Sequence, residues 1–248
     1  MLAIATVATP LLAQRGGGVF GGGRSRSVGP IQMNVPYDGR NTFTRVRYNS
    51  GMYGFGASAW NHDYPNADRH IGLILKEITA IPTNVDHTLI LDLEDPEIFM
   101  NPVIMMWEPG YWRVTEDAAK NLGAYLKKGG FIIFDYFEMD HLYNLQEQFA
   151  KAVPGAEWVK LDISHPVFHV FFDMTGINLP HPDQGIPPPA FYGVFEDNDP
   201  NKRLIAVANH NGDVAEYWEF SGTGVFPVDT TNDAYKLGAN YWIYALTH

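Results

Sequence analysis

TEDAAKNLGAYLKKGGFIIFD, residues 115–135, decides the fold class. Thr115 is a residue type that caps helix starts. Glu116 and Asp117 occupy the first turn and Lys127 and Lys128 the last, so the charges run with the helix dipole. Gly129-Gly130 ends the helix, and the apolar run Phe131–Phe134 follows with almost no loop between. A helix that passes directly into a strand apolar on both faces is half of a strand-helix-strand unit, whose strands lie parallel.

The same alternation extends in both directions. From Phe43, FTRVRY alternates with period two between Asn41 and the turn residues Asn49-Ser50-Gly51, and so predicts a strand. From Ala67 to Thr79, residues Ala67, Ile71, Ile74, Leu75 and Ile78 share one helical face, with Pro82 beyond as a stop. His87–Leu93 and Val103–Trp107 are compact apolar runs expected as strands buried on both faces. Beyond Asp135, Met139–Ala152 predicts a helix carrying Leu142, Leu145, Phe149 and Ala152, followed by the strand-like AEWVKL. In the C-terminal third, FYGVF, RLIAVAN and AEYWEF read as short strands, and a helix from Thr231 to Leu246 buries Leu237, Tyr241 and Tyr244. The expectation is a flavodoxin-like three-layer α/β sandwich, its sheet largely parallel, with additional short strands in the C-terminal third. Residues 41–248 form its single domain.

The chain has 248 residues, 46% hydrophobic and 14% aromatic, enough to bury a sizeable core, which excludes a disordered or collagen-like chain. Lys and Arg total 17 against 28 Asp and Glu, a net charge of −11 that repels phosphate backbones, so no nucleic-acid partner is expected. The absence of cysteine excludes disulfide scaffolds, thiolate metal sites and cysteine nucleophiles. MLAIATVATPLLA, residues 1–13, reads as the remnant of a signal peptide, and the Gly/Arg/Ser-rich stretch 14–40 as a flexible tether. The resulting expectation is an exported protein, periplasmic or extracellular. A run of about 20 apolar residues is missing, so no transmembrane segment is expected.

Ligands of open parallel sheets bind beyond the carboxyl ends of the strands. Asp92, Glu94 and Asp95 end one strand, Glu108 a second, and Asp135 with Glu138 a third. Such an acidic rim suits a hard cation held by oxygens, or simply caps the helices that follow. Asp135 follows four apolar residues and is expected to be buried, where a carboxylate needs a partner or a job. A second group, WNHDYPNAD at 60–68, offers Trp60, Asp63, Tyr64 and Asp68 as ligand contacts, with Asp63 and Asp68 equally suited to bonding backbone donors at the helix start. A third, SHPVFH at 164–169, places His165 and His169 at i and i+4, a metal-ligand spacing that also suits a turn anchoring Phe168. Asp135 and His165 are the catalytic candidates, and Asp135, His165 and His169 the metal candidates. Asp135, Asp63 and His165 are expected to share one crevice. G-x-S-x-G, G-x-x-x-x-G-K-[ST] and helix-opening G-x-G-x-x-G motifs are all absent. No organic cofactor is expected, and a divalent metal is the one cofactor the residues leave open.

FTRVRY, WNHDYPNADRHIGLILKEIT, LEDPEIFMNP, LGAYLKKGGFIIFD and HPVFH together resemble the bacterial family of domain of unknown function 4159, over Asn41 to His248. The resemblance implies a class I glutamine amidotransferase-like, trehalose-utilisation-like fold. The cysteine nucleophile of the amidotransferases has no counterpart here, so their glutaminase activity is not expected. Two functions follow. One is a non-catalytic binding or scaffold module that meets protein or carbohydrate through its 6 Trp and 13 Tyr. The other is a hydrolase using carboxylates and histidine, with or without a divalent metal, in which Asp135 is general base or ligand, His165 acid or ligand, and Asp63 and Asp68 position substrate; Glu94 and Asp95 join Trp60, Asp63, Tyr64 and Asp68 as the ligand-binding candidates.

Overall fold

The computed structural model describes residues 30–50 and 59–248. The apolar run 1–13, the glycine-rich residues 14–29 and the loop 51–58 lie outside the described residues. In chain order the strands are β1 (Asn41–Arg47), β2 (Thr83–Asp92), β3 (Val103–Trp107), β4 (Phe131–Phe137), β5 (Val159–Lys160), β6 (Ala190–Phe195) and β7 (Leu204–His210). The helices are α1 (Asn66–Ile78), α2 (Glu116–Lys127), α3 (His141–Ala152), α4 (Val214–Glu219) and α5 (Val228–Thr247).

All seven strands form one sheet in the order β2-β1-β3-β4-β7-β6-β5. The five strands from β2 to β7 in that order are parallel, and β6 and β5 add antiparallel strands at the C-terminal edge. The period-two alternation of each strand divides the core between the faces. Phe43, Met105, Trp107, Ile133 and Val207 pack under α1, α4 and α5, while Val46, Ile104, Met106, Ile132 and Phe134 pack under α2 and α3. The result is the mixed α/β sandwich that the helix-to-strand passage at 115–135 predicts. Thr115 caps α2 by accepting from Ala118 N, and Gly129 takes the left-handed φ of +103° that stops it.

Three local expectations change. AEYWEF is not a strand but most of α4, buried from Val214 to Trp218, so its apolar residues have no single exposed face to reveal a helical period. Asp213 caps α4 by accepting from Glu216 N, and Asp135 accepts from the first two amides. AEWVKL pairs only at Val159 and Lys160, on the outermost edge. The tether expected to reach residue 40 is anchored earlier: Asn34 brackets Ile90 of β2, its side chain donating to Ile90 O and accepting from Ile90 N, and Gln32 N donates to Tyr64 Oη. Among the described residues no helix is long and apolar enough to cross a membrane.

Candidate functional site

Strand order reverses between β1 and β3, since β1 leads to β2 on one side and the chain returns to place β3 on the other. Crossover helices diverge at such a point and leave a crevice beyond the strand ends. Arg45 of β1, Trp107 of β3 and Asp135 of β4 lie on the same face of the sheet, beneath α1 and α4. The completely buried Arg45 guanidinium makes a bidentate pair with Asp68 of α1 and donates to Trp60 O at 2.9 Å and His62 O at 2.6 Å. It also stacks on Trp107, 3.5 Å from the ring centroid. With the guanidinium itself held by Asp68 and Trp107, its two charge-assisted bonds to the carbonyls of Trp60 and His62 fix this segment over the sheet.

That segment delivers two chemical groups to the crevice. His62 Nδ1 stands 2.7 Å from Glu108 Oε1, and its ring meets Tyr136 edge-on at 4.4 Å. Asp63 is buried, its Oδ2 accepting from Trp107 Nε1 at 2.9 Å. Across the crevice, α4 presents Glu216 and Glu219 three residues apart on one face. One carboxylate oxygen from each of Asp63, Glu216 and Glu219 lies within 4.8 Å of the others.

Backbone strain collects here. Asp63, Glu108, Tyr136, Met139 and Asn211, none of them glycine, have φ between 44° and 60°, and all follow or adjoin the carboxyl ends of strands. At Tyr136 the purpose is visible. The register between β4 and β7 slips between Phe134 and Phe137, so the alternation breaks and both Asp135 and Tyr136 turn toward the same core as Trp107. At the end of β3 the left-handed Glu108 starts a sharp turn, and Tyr48 Oη holds it at 2.7 Å from Glu108 O and 2.9 Å from Trp107 O.

The carboxylates are crowded. Burial pushes Glu219 up to about 7, helped by the negative Asp63 and Glu216 and opposed by His62. Asp213 is raised well above the carboxylate range by burial, then by Asp63, Glu216 and Asp135. Asp135 is pushed up to about 6 by complete burial, with its hydrogen bonds pulling the other way. Those bonds define its job: Oδ1 accepts from Asn209 Nδ2 at 2.9 Å and Val214 N at 3.3 Å, and Oδ2 from Ala215 N at 2.9 Å. Asn209 Oδ1 in turn accepts from Tyr241 Oη at 2.8 Å. Asp135 is thus the anchor of α4.

The other sequence candidates separate. Trp60 and Tyr64 are buried with Ile90 beneath the 60–64 turn, and Asp68 is consumed by Arg45. Glu94 accepts from Thr115 Oγ1 at 2.6 Å and Asp95 from Asp92 N at 2.8 Å, both beside a cleft of about 310 Å³ on the α2 side of the sheet. His165 does not share the crevice. Its ring packs on Phe195 and Tyr244, and Tyr244 Oη accepts from Leu204 N where β7 begins, the end of the sheet opposite Asp135. His165 Nδ1 accepts from Val167 N, while His169 bonds Asp173 and Ile163 O, so the turn reading fits both rings. Sequence reasoning passed over His62, Glu216 and Glu219. His62 adjoins a singled-out aspartate, but the pair on α4 was hidden by its strand-like reading.

No curated protein matches this sequence. A family model described as a domain of unknown function, DUF4159, matches residues 42–246, from the second residue of β1 almost to the end of α5. The match takes in all but the first residue of β1 and the last of α5 among the described strands and helices, with the residues of the crevice, and the chain belongs to that family.

Proposed function

We propose that this domain is a hydrolase working by general acid–base catalysis at the switch point, with His62 as the base and Glu108 as the group that orients it. The single observation behind the reading is the 2.7 Å contact between His62 Nδ1 and Glu108 Oε1. A carboxylate there fixes the tautomer with the proton on Nδ1, so the basic lone pair is on Nε2, and it stabilises the imidazolium formed on proton transfer. Glu108 is held for this role by a strained turn at the end of a strand, and both side chains are largely shielded from water. A non-catalytic module would meet its partner through exposed aromatic faces, and five of the six tryptophans, Trp60, Trp107, Trp112, Trp218 and Trp242, are buried in the core, although tyrosines such as Tyr143 remain exposed. Kinship with the glutamine amidotransferase-like folds, implied by the sequence resemblance, is supported by the doubly wound parallel sheet; the chemistry proposed differs because no cysteine exists.

The test is a screen of the full chain against nitrophenyl esters, nitrophenyl glycosides and aminoacyl nitroanilides, beside Glu108→Gln and His62→Asn. The expected result is turnover of one class by the wild type, with kcat/KM reduced about 100-fold or more in each variant. Turnover of none of the three classes, or unchanged turnover in either variant, overturns the reading.

A further inference from the structure

Asp63, Glu216 and Glu219 each bring a carboxylate oxygen within 4.8 Å of the other two, in a largely buried space. Within this group Asp63 stands out. It is 4% exposed, Trp107 Nε1 holds Oδ2, and the enclosed Oδ1 has no hydrogen-bond partner among the described residues. A buried carboxylate oxygen left in this way is costly unless a hydrogen-bond donor or a positive charge meets it.

The donors are also rigidly placed. Asp63 is set by Trp107 and by the Arg45 contacts to the preceding carbonyls. Glu216 and Glu219 ride on α4, whose first turn is pinned by Asp135 and Asp213. A helix that short would not hold two long side chains in place unaided. Three carboxylates and no nitrogen or sulfur donor form a hard, all-oxygen set, the chemistry of calcium, magnesium and manganese rather than zinc or copper.

We propose that Asp63 Oδ1 and the carboxylates of Glu216 and Glu219 bind one hard divalent cation, with water completing its coordination. The inference goes beyond the hydrolase reading and does not depend on it, because the site is measured by binding alone and uses neither His62 nor Glu108.

The full chain, stripped with chelator and exchanged into chelator-free buffer, is titrated calorimetrically with CaCl2, MgCl2 and MnCl2. Manganese is added in parallel while the tryptophan indole N–H resonances are followed by NMR. The expected outcome is a one-to-one isotherm with at least one of the three cations, weakened about tenfold or more in Glu219→Gln and in Asp63→Asn. Manganese should broaden the Trp107 indole signal, whose N–H touches Asp63, before that of Trp158. Glu219 is half-buried, so its variant keeps the fold if Asp63→Asn does not, and the indole broadening needs no variant. Absence of binding by all three cations, wild-type binding in Glu219→Gln, or broadening that leaves Trp107 untouched overturns the proposal.

Discussion

The guanidinium of Arg45 lies on the indole of Trp107, 3.5 Å from its centroid, while the edge of the same indole donates to Asp63. One tryptophan thus joins the fully buried Arg45 charge to a buried carboxylate of the crevice. Arg45 also holds the carbonyls of residues 60 and 62, so the position of His62 depends on a residue in the middle of β1.

Arg45→Met should therefore be among the most damaging single changes. It leaves the fully buried Asp68 charged and unpaired, and breaking such a pair costs about 3–5 kcal/mol. Arg45→Lys should recover only part of this, because an ammonium makes no bidentate fork and stacks poorly. Urea unfolding of the three proteins gives the measurement, and a loss below 1 kcal/mol in Arg45→Met would show the pair to be dispensable.

Asp135→Asn should reveal a stability cost that depends on pH in an unusual direction. Burial raises the Asp135 pKa to about 6 from an ordinary 3.8, so the folded state binds the proton more tightly than the unfolded chain does. Its contribution is fully present below pH 3.8 and is lost as pH rises through about 6. The amide does not titrate. Replacing one acceptor of an α4 amide should cost about 1–3 kcal/mol near pH 4 and less at pH 7.5. Denaturation curves of both proteins at the two pH values test this, and a larger cost at the higher pH contradicts the assigned shift.

Glu108→Gly separates stability from activity. The residue sits at φ 44°, a conformation that costs a side-chain-bearing residue about 1–3 kcal/mol and glycine almost nothing. The variant should melt at or above the wild-type temperature while losing the hydrolytic turnover. A clear fall in melting temperature would mean that the carboxylate holds the fold rather than the site.

Gly238→Ala probes the support of α4. A Cβ at residue 238 of α5 would meet Trp218 at 2.6 Å and Ile71 of α1 at 2.9 Å, so both helices must give way. Overpacking of this kind costs about 1–3 kcal/mol. Because Trp218 lies between Glu216 and Glu219 in sequence, cation binding should weaken in the folded variant as well. Calorimetric titration beside thermal melting would show both effects, and normal affinity with lowered stability would uncouple α5 from the site.

Much of the architecture is legible without coordinates, for local reasons. Thr115, the acidic first turn of α2, Gly129-Gly130 and the run Phe131–Phe134 each act within a few residues, so helix, stop and strand are determined by the sequence itself. Alternation then places Asp135 at the carboxyl end of β4, buried, as its apolar approach implies. The 60–68 segment likewise shows itself as a concentration of aromatic and acidic residues ahead of a helix.

The rest depends on partners far away in the chain. AEYWEF becomes α4 because Asp135, some 80 residues earlier, accepts from its first amides, an interaction that no local propensity encodes. His62 finds Glu108 across 46 residues, and Asp63 finds Trp107 across 44, only once β1 and β3 are neighbours in the sheet. Local spacing paired His165 with His169, but their surroundings at the opposite end of the sheet engage each ring separately. Sequence alone determined most of the strands and helices, AEYWEF and AEWVKL apart, because periodicity and capping are short-range. Only the tertiary structure decided which carboxylates meet, because burial and charge crowding are set by strand order and by contacts, such as Trp107 with Asp63, between residues far apart in the chain.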